Sequence, residues 1–301
     1  MEYFNEGILL QSQSFSVNDG EGIRNTIFLA GCPLRCEWCA NPETWTLEPK
    51  LAFYKEKCTQ CGACEGVCPK GFLPNVEDEK RVGCDGCGIC VSQCPQKALS
   101  ILCTQSKTEE ILAKIERERI FFQHSGAGVT FSGGEPTFQQ EFLRSLANEF
   151  CHRGISMWME TCGYFNWEST KDILLKMDHL LYDIKCMDER LHQQVTGVSN
   201  QLILENCCKA AQEGIPITIR IPLIKEVNCN PENLIETARF VAENIPGSRI
   251  ELLPYHDFGK EKYRAIGMKN HFKPFTTPTR DEVIAAKELL VDHGIVIVEY
   301  K

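Results

Sequence analysis

The sequence lacks the features that would associate it with a membrane or with nucleic acid. No apolar run in its 301 residues approaches the ~20 residues that a membrane-spanning helix needs. The net charge is −9, and the basic residues are scattered rather than gathered in a run. The first six residues, MEYFNE, lack the charge pattern of a signal peptide. We therefore expect a cytoplasmic protein with no membrane and no nucleic-acid partner.

Cysteine, in contrast, is abundant, with 18 residues. Disulfides are typical of oxidising compartments and small secreted domains, whereas tight C-x2-C spacings in a cytosolic chain indicate metal. Three such runs contain eleven of the cysteines. The other seven have no ligand spacing and are predicted to be small buried hydrophobes: Cys103, Cys151, Cys162, Cys186, Cys207, Cys208 and Cys229.

Two near-identical cysteine runs lie 26 residues apart, at residues 58–69 and 84–95. Each has the spacing C-x2-C-x2-C-x3-C-P, which is typical of a loop folded around a [4Fe–4S] cluster. Two zinc sites of four thiolates each would use the same number of cysteines and remain the alternative. The prolines and the repeated spacing favour iron–sulfur clusters.

A third run, Cys32-x3-Cys36-x2-Cys39, has only three cysteines. A four-iron cluster bound there would keep one iron free of protein ligands. An iron with an open position can bind a reactant, whereas fully ligated clusters mostly carry electrons. The cysteine runs therefore predict an enzyme with one catalytic cluster and further clusters that transfer electrons. Three unrelated cysteines in a loop are the alternative.

Outside residues 51–103, which contain the repeated runs, the chain alternates strand-like and helix-like segments. Strands are predicted at 25–30, 128–131, 155–159, 180–184, 217–221, 250–253 and 295–300, and helices at 138–153, 167–177, 202–214, 231–244 and 280–293. Ser106 and Glu109 are predicted to form a capping box that opens one more helix. This alternation predicts a partial α/β barrel over 1–50 and 104–301, with 51–103 as an inserted domain.

Polar residues and glycines follow each of the first six predicted strands. They include the three-cysteine run, Gly133-Gly134-Glu135, Glu160, Asp183-Ile184-Lys185, Arg220 and His256. In parallel β/α architectures the carboxyl ends of the strands form the active-site face. We expect these residues to lie together at the open end of the barrel, although strands in general also end in polar turns.

The three-cysteine run directly after a first strand resembles the signature of the radical S-adenosylmethionine (SAM) enzymes. The resemblance implies that SAM chelates the open iron through its amino and carboxylate groups. An electron from the cluster then cleaves a carbon–sulfur bond, and the resulting 5′-deoxyadenosyl radical abstracts a hydrogen atom. By the same resemblance the SAM contacts are Trp38, Cys39, Ala40, Gly133, Gly134, Glu135, Glu160, Asp183, Ile184, Lys185, Arg220 and His256.

Asp19-Gly20-x-Gly22-x-Arg24 narrows the resemblance to the activating enzymes of glycyl radical enzymes, the pyruvate formate-lyase activase group. Thr196-Gly197-x-x-Asn200 also fits that group. The implied reaction removes a hydrogen atom from a backbone glycine of a partner enzyme, whose loop Asp19 and its neighbouring glycines would grip. The insert indicates the longer subgroup, whose partners are dehydratases, decarboxylases or C–N and C–S lyases.

The end of the third strand departs from the shorter activase. It reads Glu160-Thr161-Cys162-Gly163 where that enzyme has Asp-Thr-Asn-Gly. The resemblance implies a monovalent cation held here together with Asp183. Because glutamate is one methylene longer, this chain either holds the cation through Glu160 or lacks the site.

In two-run ferredoxins the fourth cysteine of each run ligates the other cluster. This implies Cys58, Cys61, Cys64 and Cys94 for one insert cluster, and Cys84, Cys87, Cys90 and Cys68 for the other. With the three-cysteine run, the chain would hold three [4Fe–4S] clusters. The insert is expected to relay electrons from a flavodoxin or ferredoxin; a docking surface or a structural brace are the alternatives.

Two rival functions remain at this point. The first is a radical SAM enzyme that acts on another peptide or on a small molecule. The second is a ferredoxin-type electron carrier fused to an inert α/β domain, which would not turn over SAM.

Overall fold

A nine-stranded sheet dominates the computed structural model, which describes residues 5–75, 84–125 and 127–300. The strand order in the sheet is β11-β10-β9-β8-β7-β6-β2-β1-β5. Neighbours from β2 through β6 to β11 are parallel, whereas β1 is antiparallel to both β2 and β5. The strands are β1 Glu6–Ser16, β2 Arg24–Leu29, β3 Lys50–Phe53, β4 Leu99–Leu102, β5 Thr104–Lys107, β6 Gly128–Gly133, β7 Ser156–Thr161, β8 His179–Asp183, β9 Ile217–Leu223, β10 Arg249–Pro254 and β11 Val296–Ile297.

Helices connect successive parallel strands, as the alternating pattern predicted. These connecting helices are α2 Thr108–Ser125, α3 Gln140–His152, α4 Trp167–Leu174, α5 Glu189–Thr196, α6 Gln201–Gln212, α7 Pro231–Asn244, α8 Gly259–Ala265 and α9 Arg280–Asp292, whereas the short α1, Ile89–Ser92, lies between the antiparallel strands β3 and β4. The parallel α/β architecture is thereby confirmed. No helix in the described ranges is both long enough and apolar enough to cross a bilayer.

The main core lies between one face of the sheet and these helices. In α3, Leu143, Leu146 and Phe150 are fully buried at helical spacing against the strands. Each such side chain contributes about 1.5–3 kcal/mol through burial of apolar surface. The opposite face of the parallel strands carries the polar residues, because side chains alternate along a strand.

The antiparallel edge was not predicted. Ser106, proposed as a helix cap, instead pairs with Gly7 in the β1–β5 ladder, and α2 begins at Thr108. The predicted capping box is therefore wrong. Ser106 joins β5 and does not cap α2, because the β1–β5 ladder provides hydrogen bonds for several backbone N–H and C=O groups at once.

The segment between β3 and β4 has its own two-stranded sheet and its own apolar cluster. Lys50 pairs with Leu102 and Phe53 with Leu99 at its base. The cluster contains Leu51, Phe53, Cys64, Cys90, Ala98 and Leu99. Residues 76–83 of the predicted insert, and residues 1–4, 126 and 301, lie outside the described residues.

Candidate active site

One cavity of about 430 Å³ opens at the carboxyl ends of the parallel strands. All three cysteines of the loop after β2 line it. Of the other predicted SAM contacts, the described residues that line it are Trp38, Ala40, Gly133, Gly134, Glu160, Asp183, Lys185 and His256. The structure thus brings eleven of the predicted catalytic and SAM-binding residues to one cavity, from the ends of five strands, β2, β6, β7, β8 and β10.

Backbone hydrogen bonds to the end of α5 hold the three-cysteine loop in place. The Arg35 N–H donates to the Thr196 carbonyl at 2.7 Å, and the Glu37 N–H donates to the Val195 carbonyl at 3.0 Å. These acceptors close α5, directly before Gly197, whose φ of 87° ends the helix. The Thr-Gly motif therefore positions the loop that carries the cysteines.

The chemistry of the three thiols fits a bound iron–sulfur cluster. Burial raises the pKa of Cys36 to about 12 and that of Cys39 to about 11. Buried thiols of this kind lose their protons when a metal binds, because the metal stabilises the thiolate. No three His, Cys, Asp or Glu side chains of the described ranges approach closely enough to share a single ion.

Two glycines let the backbone of β6 approach this loop. A Cβ on Gly133, whose φ is 118°, would lie 2.2 Å from the Leu29 carbonyl oxygen, and one on Gly134 would lie 2.3 Å from that of Gly31. Any side chain at these positions would overlap backbone atoms. The glycines therefore leave main-chain groups bare at the cavity wall.

Glu135 is placed differently from the expectation. Its carboxylate is fully buried, and it is not among the described residues that line the cavity. It accepts hydrogen bonds from the Thr137 N–H at 3.1 Å, the Thr161 hydroxyl at 2.9 Å and the Cys162 N–H at 2.7 Å. Glu135 thus joins the ends of β6 and β7. Ile184, predicted as a contact, is also buried away from the cavity lining.

Asp183 and Lys185 form a buried ion pair at the cavity wall, 2.8 Å apart. Burial alone would lower the pKa of Lys185, but the adjacent Asp183 carboxylate raises it well above its usual value. Asp183 Oδ1 is buried and has no hydrogen-bond partner among the described residues. An unsatisfied buried acceptor that faces a cavity suits a ligand carrying a donor or a cation.

Arg220 lies below the cavity and joins three elements. Its guanidinium donates to Glu251 at 2.7 Å, to Glu160 at 3.1 Å and to the Asn18 carbonyl at 2.7 Å. Burial would raise the pKa of Glu160, but the charge of Arg220 and the Ser132 hydroxyl hydrogen bond outweigh it, so the net pKa is lowered. Arg220 does not itself line the cavity, so it supports Glu160 from beneath.

The loop between β1 and β2 crosses the polar face of the sheet. Asp19 accepts hydrogen bonds from Thr26 at 2.5 Å and, through its carbonyl, from Thr130 at 2.7 Å. Arg24 is fully buried and donates to the Val129 carbonyl at 2.7 Å. Gly20 is buried against Trp158, whereas Gly22 is exposed.

Cys162 and Trp45 are two of the cavity-lining residues to which sequence reasoning gave no role in the site. Cys162 was predicted to be a small buried hydrophobe, and it is buried, but its thiol also hydrogen-bonds Cys32, which lowers the pKa of Cys32. Its position after the third strand was the available signal. Of the other six leftover cysteines, Cys151 is exposed and Cys208 and Cys229 are half-buried, so for these three the prediction was wrong.

The eight insert cysteines gather in two groups of four. One small cavity is lined by Cys58, Cys61, Cys64 and Cys94, and a second by Cys68, Cys84, Cys87 and Cys90. The fourth cysteine of each run therefore lies with the first three of the other run.

Comparisons with known proteins agree with this geometry. Residues 26–241 match the family model of the radical SAM superfamily. The chain is 37% identical over 280 residues to a (2S)-3-sulfopropanediol dehydratase activating enzyme of Klebsiella oxytoca, covering 89% of this chain and 87% of that one. It is 38% identical over 290 residues to a trans-4-hydroxy-L-proline dehydratase activating enzyme of Clostridioides difficile, covering 94% and 95%. A radical SAM methyltransferase structure from Sphaerobacter thermophilus shares the fold, with a TM-score of 0.53 at 13% identity over 97% of this chain and 76% of that one.

The chain belongs to the radical SAM superfamily and, within it, to the activating enzymes of glycyl radical enzymes. It is therefore an enzyme that uses a [4Fe–4S] cluster and SAM, and it acts on a glycyl radical enzyme as its protein partner. The predicted family and function are confirmed, and the carrier hypothesis is wrong.

Proposed function

We propose that this activating enzyme holds three [4Fe–4S] clusters, one at Cys32, Cys36 and Cys39 and two in the insert. The convergence of the three loop thiols on one cavity supports the first cluster. The two groups of four insert cysteines support the others and their crossed ligand sets. We further propose that residues 51–103 are a ferredoxin-like domain inserted between 1–50 and 104–301. Clusters that depend on free thiolates favour a reducing cytoplasm.

SAM binds, in this proposal, across the cavity wall. The bare backbone at Gly133 and Gly134 receives the methionine amino group in place of the buried Glu135 carboxylate. Asp183 offers its free oxygen, and Lys185 brings a positive charge to the methionine and ribose ends. Trp38 and Ala40 lie on the adenine side, and exposed His256 sits at the rim.

When SAM and the reduced cluster are bound, they supply the 5′-deoxyadenosyl radical that removes the glycine hydrogen. The protein positions this chemistry through Asp183 and Lys185 and through Glu160, which Arg220 holds in place. Glu160 lies at the cavity wall near Asp183, so a monovalent cation would be held by these two carboxylates. The charge of Arg220 keeps Glu160 ionised, which suits that role.

The loop with Asp19, Gly20 and Gly22 is proposed to guide the partner's glycine loop. Its exposed member, Gly22, offers main-chain groups without a side chain, while buried Arg24 and the Arg220–Asn18 hydrogen bond fix the loop. Similarity does not single out one partner, because eight relatives that include dehydratase, sulfite-lyase, trimethylamine-lyase and decarboxylase activating enzymes are all 35–38% identical. We therefore propose the partner only as a glycyl radical enzyme of the eliminating or decarboxylating type.

The test is anaerobic reconstitution followed by two measurements. With dithionite and SAM, the protein should form 5′-deoxyadenosine. When a candidate glycyl radical enzyme is added, electron paramagnetic resonance (EPR) should show a glycyl signal on that enzyme. Nucleoside formation without a glycyl signal on any candidate, combined with turnover of a free peptide or metabolite, would contradict the proposal.

The insert clusters give a separate prediction. Replacement of Cys58 and Cys61 in one group and of Cys84 and Cys87 in the other by Ala leaves two thiolates in each group and should lower iron from about 12 to about 4 per chain. If the insert relays electrons from a flavodoxin or ferredoxin, SAM cleavage driven by that donor falls to the donor-free level. Cleavage driven by a strong chemical reductant, which reaches the active-site cluster directly, is retained.

The two alternatives give different results in the same quadruple variant. If the insert is a docking surface, SAM cleavage driven by the protein donor should be normal, but the partner should show no glycyl signal. If the insert is a structural brace, SAM cleavage should be lost with both reductants, and the melting temperature of the protein should fall. Replacement of exposed Cys151, which belongs to no run, provides the matched control and should change neither iron nor rates.

A further inference from the structure

Phe15, near the end of β1, has a strained backbone. Its φ is 61°, in the left-handed region that glycine and asparagine adopt readily but phenylalanine rarely does. The strain lies in a β-bulge. Gln13 pairs with Thr26, and Ser16 pairs with Arg24, so β1 has two residues between these pairs where β2 has one. Bulges redirect side chains, and the Phe15 side chain is 54% exposed.

The exposed ring of Phe15 pairs with that of Phe121 on α2. The ring centres are 5.0 Å apart and the interplanar angle is 79°, an edge-to-face contact, and Phe121 is itself 44% exposed. Because both rings stay half exposed, the pair buries little apolar area, and one edge contact returns no more than such backbone strain costs. The outward position of Phe15 therefore indicates a role outside the packing of the chain itself.

Two more exposed apolar side chains lie beside this pair along the chain, Val17 at 45% and Ile120 at 60% exposure. Together the four form what we call the apolar patch: Phe15, Val17, Ile120 and Phe121. The strand and the helix that carry it are joined next to Phe15, because the Ser14 hydroxyl donates to the Glu118 carboxylate at 2.6 Å. An exposed apolar patch on fixed elements is typical of a protein interaction site.

The apolar patch leads directly into the loop that carries Asp19. Ser16, between Phe15 and Val17, is buried, and its hydroxyl donates to the Asp19 carboxylate at 2.6 Å. The same carboxylate accepts from the Thr26 hydroxyl at 2.5 Å. The end of β1 and this loop are therefore held as one unit, with the patch exposed beside it.

We infer that the apolar patch docks an apolar surface of the glycyl radical enzyme, next to the glycine loop that the Asp19 loop guides. This rests on the proposed role of the Asp19 loop. Each half-exposed aromatic ring offers about 100 Å², so the four side chains together supply less than about 400 Å². A stable dimer of this chain would bury about 800 Å² on each subunit. The smaller area suits a partner that is bound, activated and released.

The test is the rate of glycyl radical formation, followed by EPR on the candidate glycyl radical enzyme that gains the signal with the wild-type protein. Phe15→Asn removes the ring and introduces a residue that adopts the left-handed backbone readily. The KM for the partner enzyme should rise about tenfold while kcat is retained, as expected when one important interface aromatic is lost. The melting temperature should equal or exceed that of the wild type, because the strain is relieved.

Two further variants accompany Phe15→Asn. Phe121→Gln removes the second ring without changing the backbone of β1, and should raise the KM for the partner enzyme in the same way. Val296→Asn is the matched control. It removes an apolar side chain of similar exposure, 60%, from β11 at the far edge of the sheet, and should leave the KM unchanged.

An unchanged KM in both Phe15→Asn and Phe121→Gln would overturn the inference and leave the proposed function intact. A raised KM together with a lower melting temperature in Phe15→Asn would assign the ring to packing and would also overturn it. So would a dimer of the wild-type protein in sedimentation velocity that dissociates in Phe15→Asn, because a second copy would then cover the patch. If no candidate gained a glycyl signal with the wild-type protein, the proposed function itself would be contradicted.

Discussion

Cys36→Ala is expected to abolish SAM cleavage while leaving the two insert clusters in place. Cys36 is buried at the cavity between the other two cysteines of the run. With only two thiolates left, the loop cannot hold a cluster with a single open iron. Because the cluster acts as a unit with its ligands, removal of one should lower 5′-deoxyadenosine formation by about three orders of magnitude or more.

Iron content distinguishes this loss from general unfolding. The variant should retain about 8 irons per chain against about 12 in the wild type, since the insert ligands are untouched. Cys208→Ala, at a half-buried cysteine outside every run, is the matched control and should keep both iron and activity. Retained cleavage in Cys36→Ala would place the catalytic cluster elsewhere in the chain.

The parallel part of the fold was accessible from sequence because its signals are local. Each buried strand is a short apolar run followed by a helix of amphipathic pattern, and α7 and β9 lie where the pattern placed them. The antiparallel edge was not accessible. β1 gains its partners from β2 and from β5, more than ninety residues away, and its own alternating polar residues resemble an exposed loop.

In the candidate site, too, local sequence signals predicted some features, whereas contacts between distant residues could not be predicted. Its spacing signals, the three-cysteine run and the strand-end glycines, predicted which residues reach the cavity. They did not predict side-chain direction: Glu135 turns to Thr161 and the Cys162 N–H, and Arg220 turns beneath Glu160. A buried carboxylate or guanidinium takes whichever partners the fold provides, and those partners are distant in sequence. Trp45 was missed for that reason, because only the fold brings Tyr263 and Arg35 against its ring.

Arg220→Met is expected to destabilise the protein strongly at neutral pH. Arg220 is 3% exposed and pairs with Glu251, which is 6% exposed, and with Glu160, which is 26% exposed. Methionine fills similar space without a charge, so two carboxylates are left without their cation. Breaking a buried ion network in this way costs about 3–5 kcal/mol. In a melting experiment on the reconstituted protein that corresponds to a drop of roughly 5–15 °C.

The pH dependence of that loss identifies its cause. In the wild type the pKa of Glu160 is lowered, because Arg220 outweighs burial, so this carboxylate adds stability above its unfolded pKa and loses it as pH falls. In Arg220→Met the charge and hydrogen bond of Arg220 are lost, so burial, opposed now by the Ser132 hydrogen bond and the charge of Lys185, raises the pKa of Glu160 relative to the wild type. The variant therefore loses less stability than the wild type as pH falls. The difference in melting temperature between the two proteins should therefore narrow from about pH 7.5 to about pH 5.5. Arg264→Met, which removes an exposed arginine paired with Glu261, should cost less than about 1 kcal/mol at either pH. A pH-independent loss in Arg220→Met would show that packing around the side chain, and not its charge, holds Glu160 at the cavity.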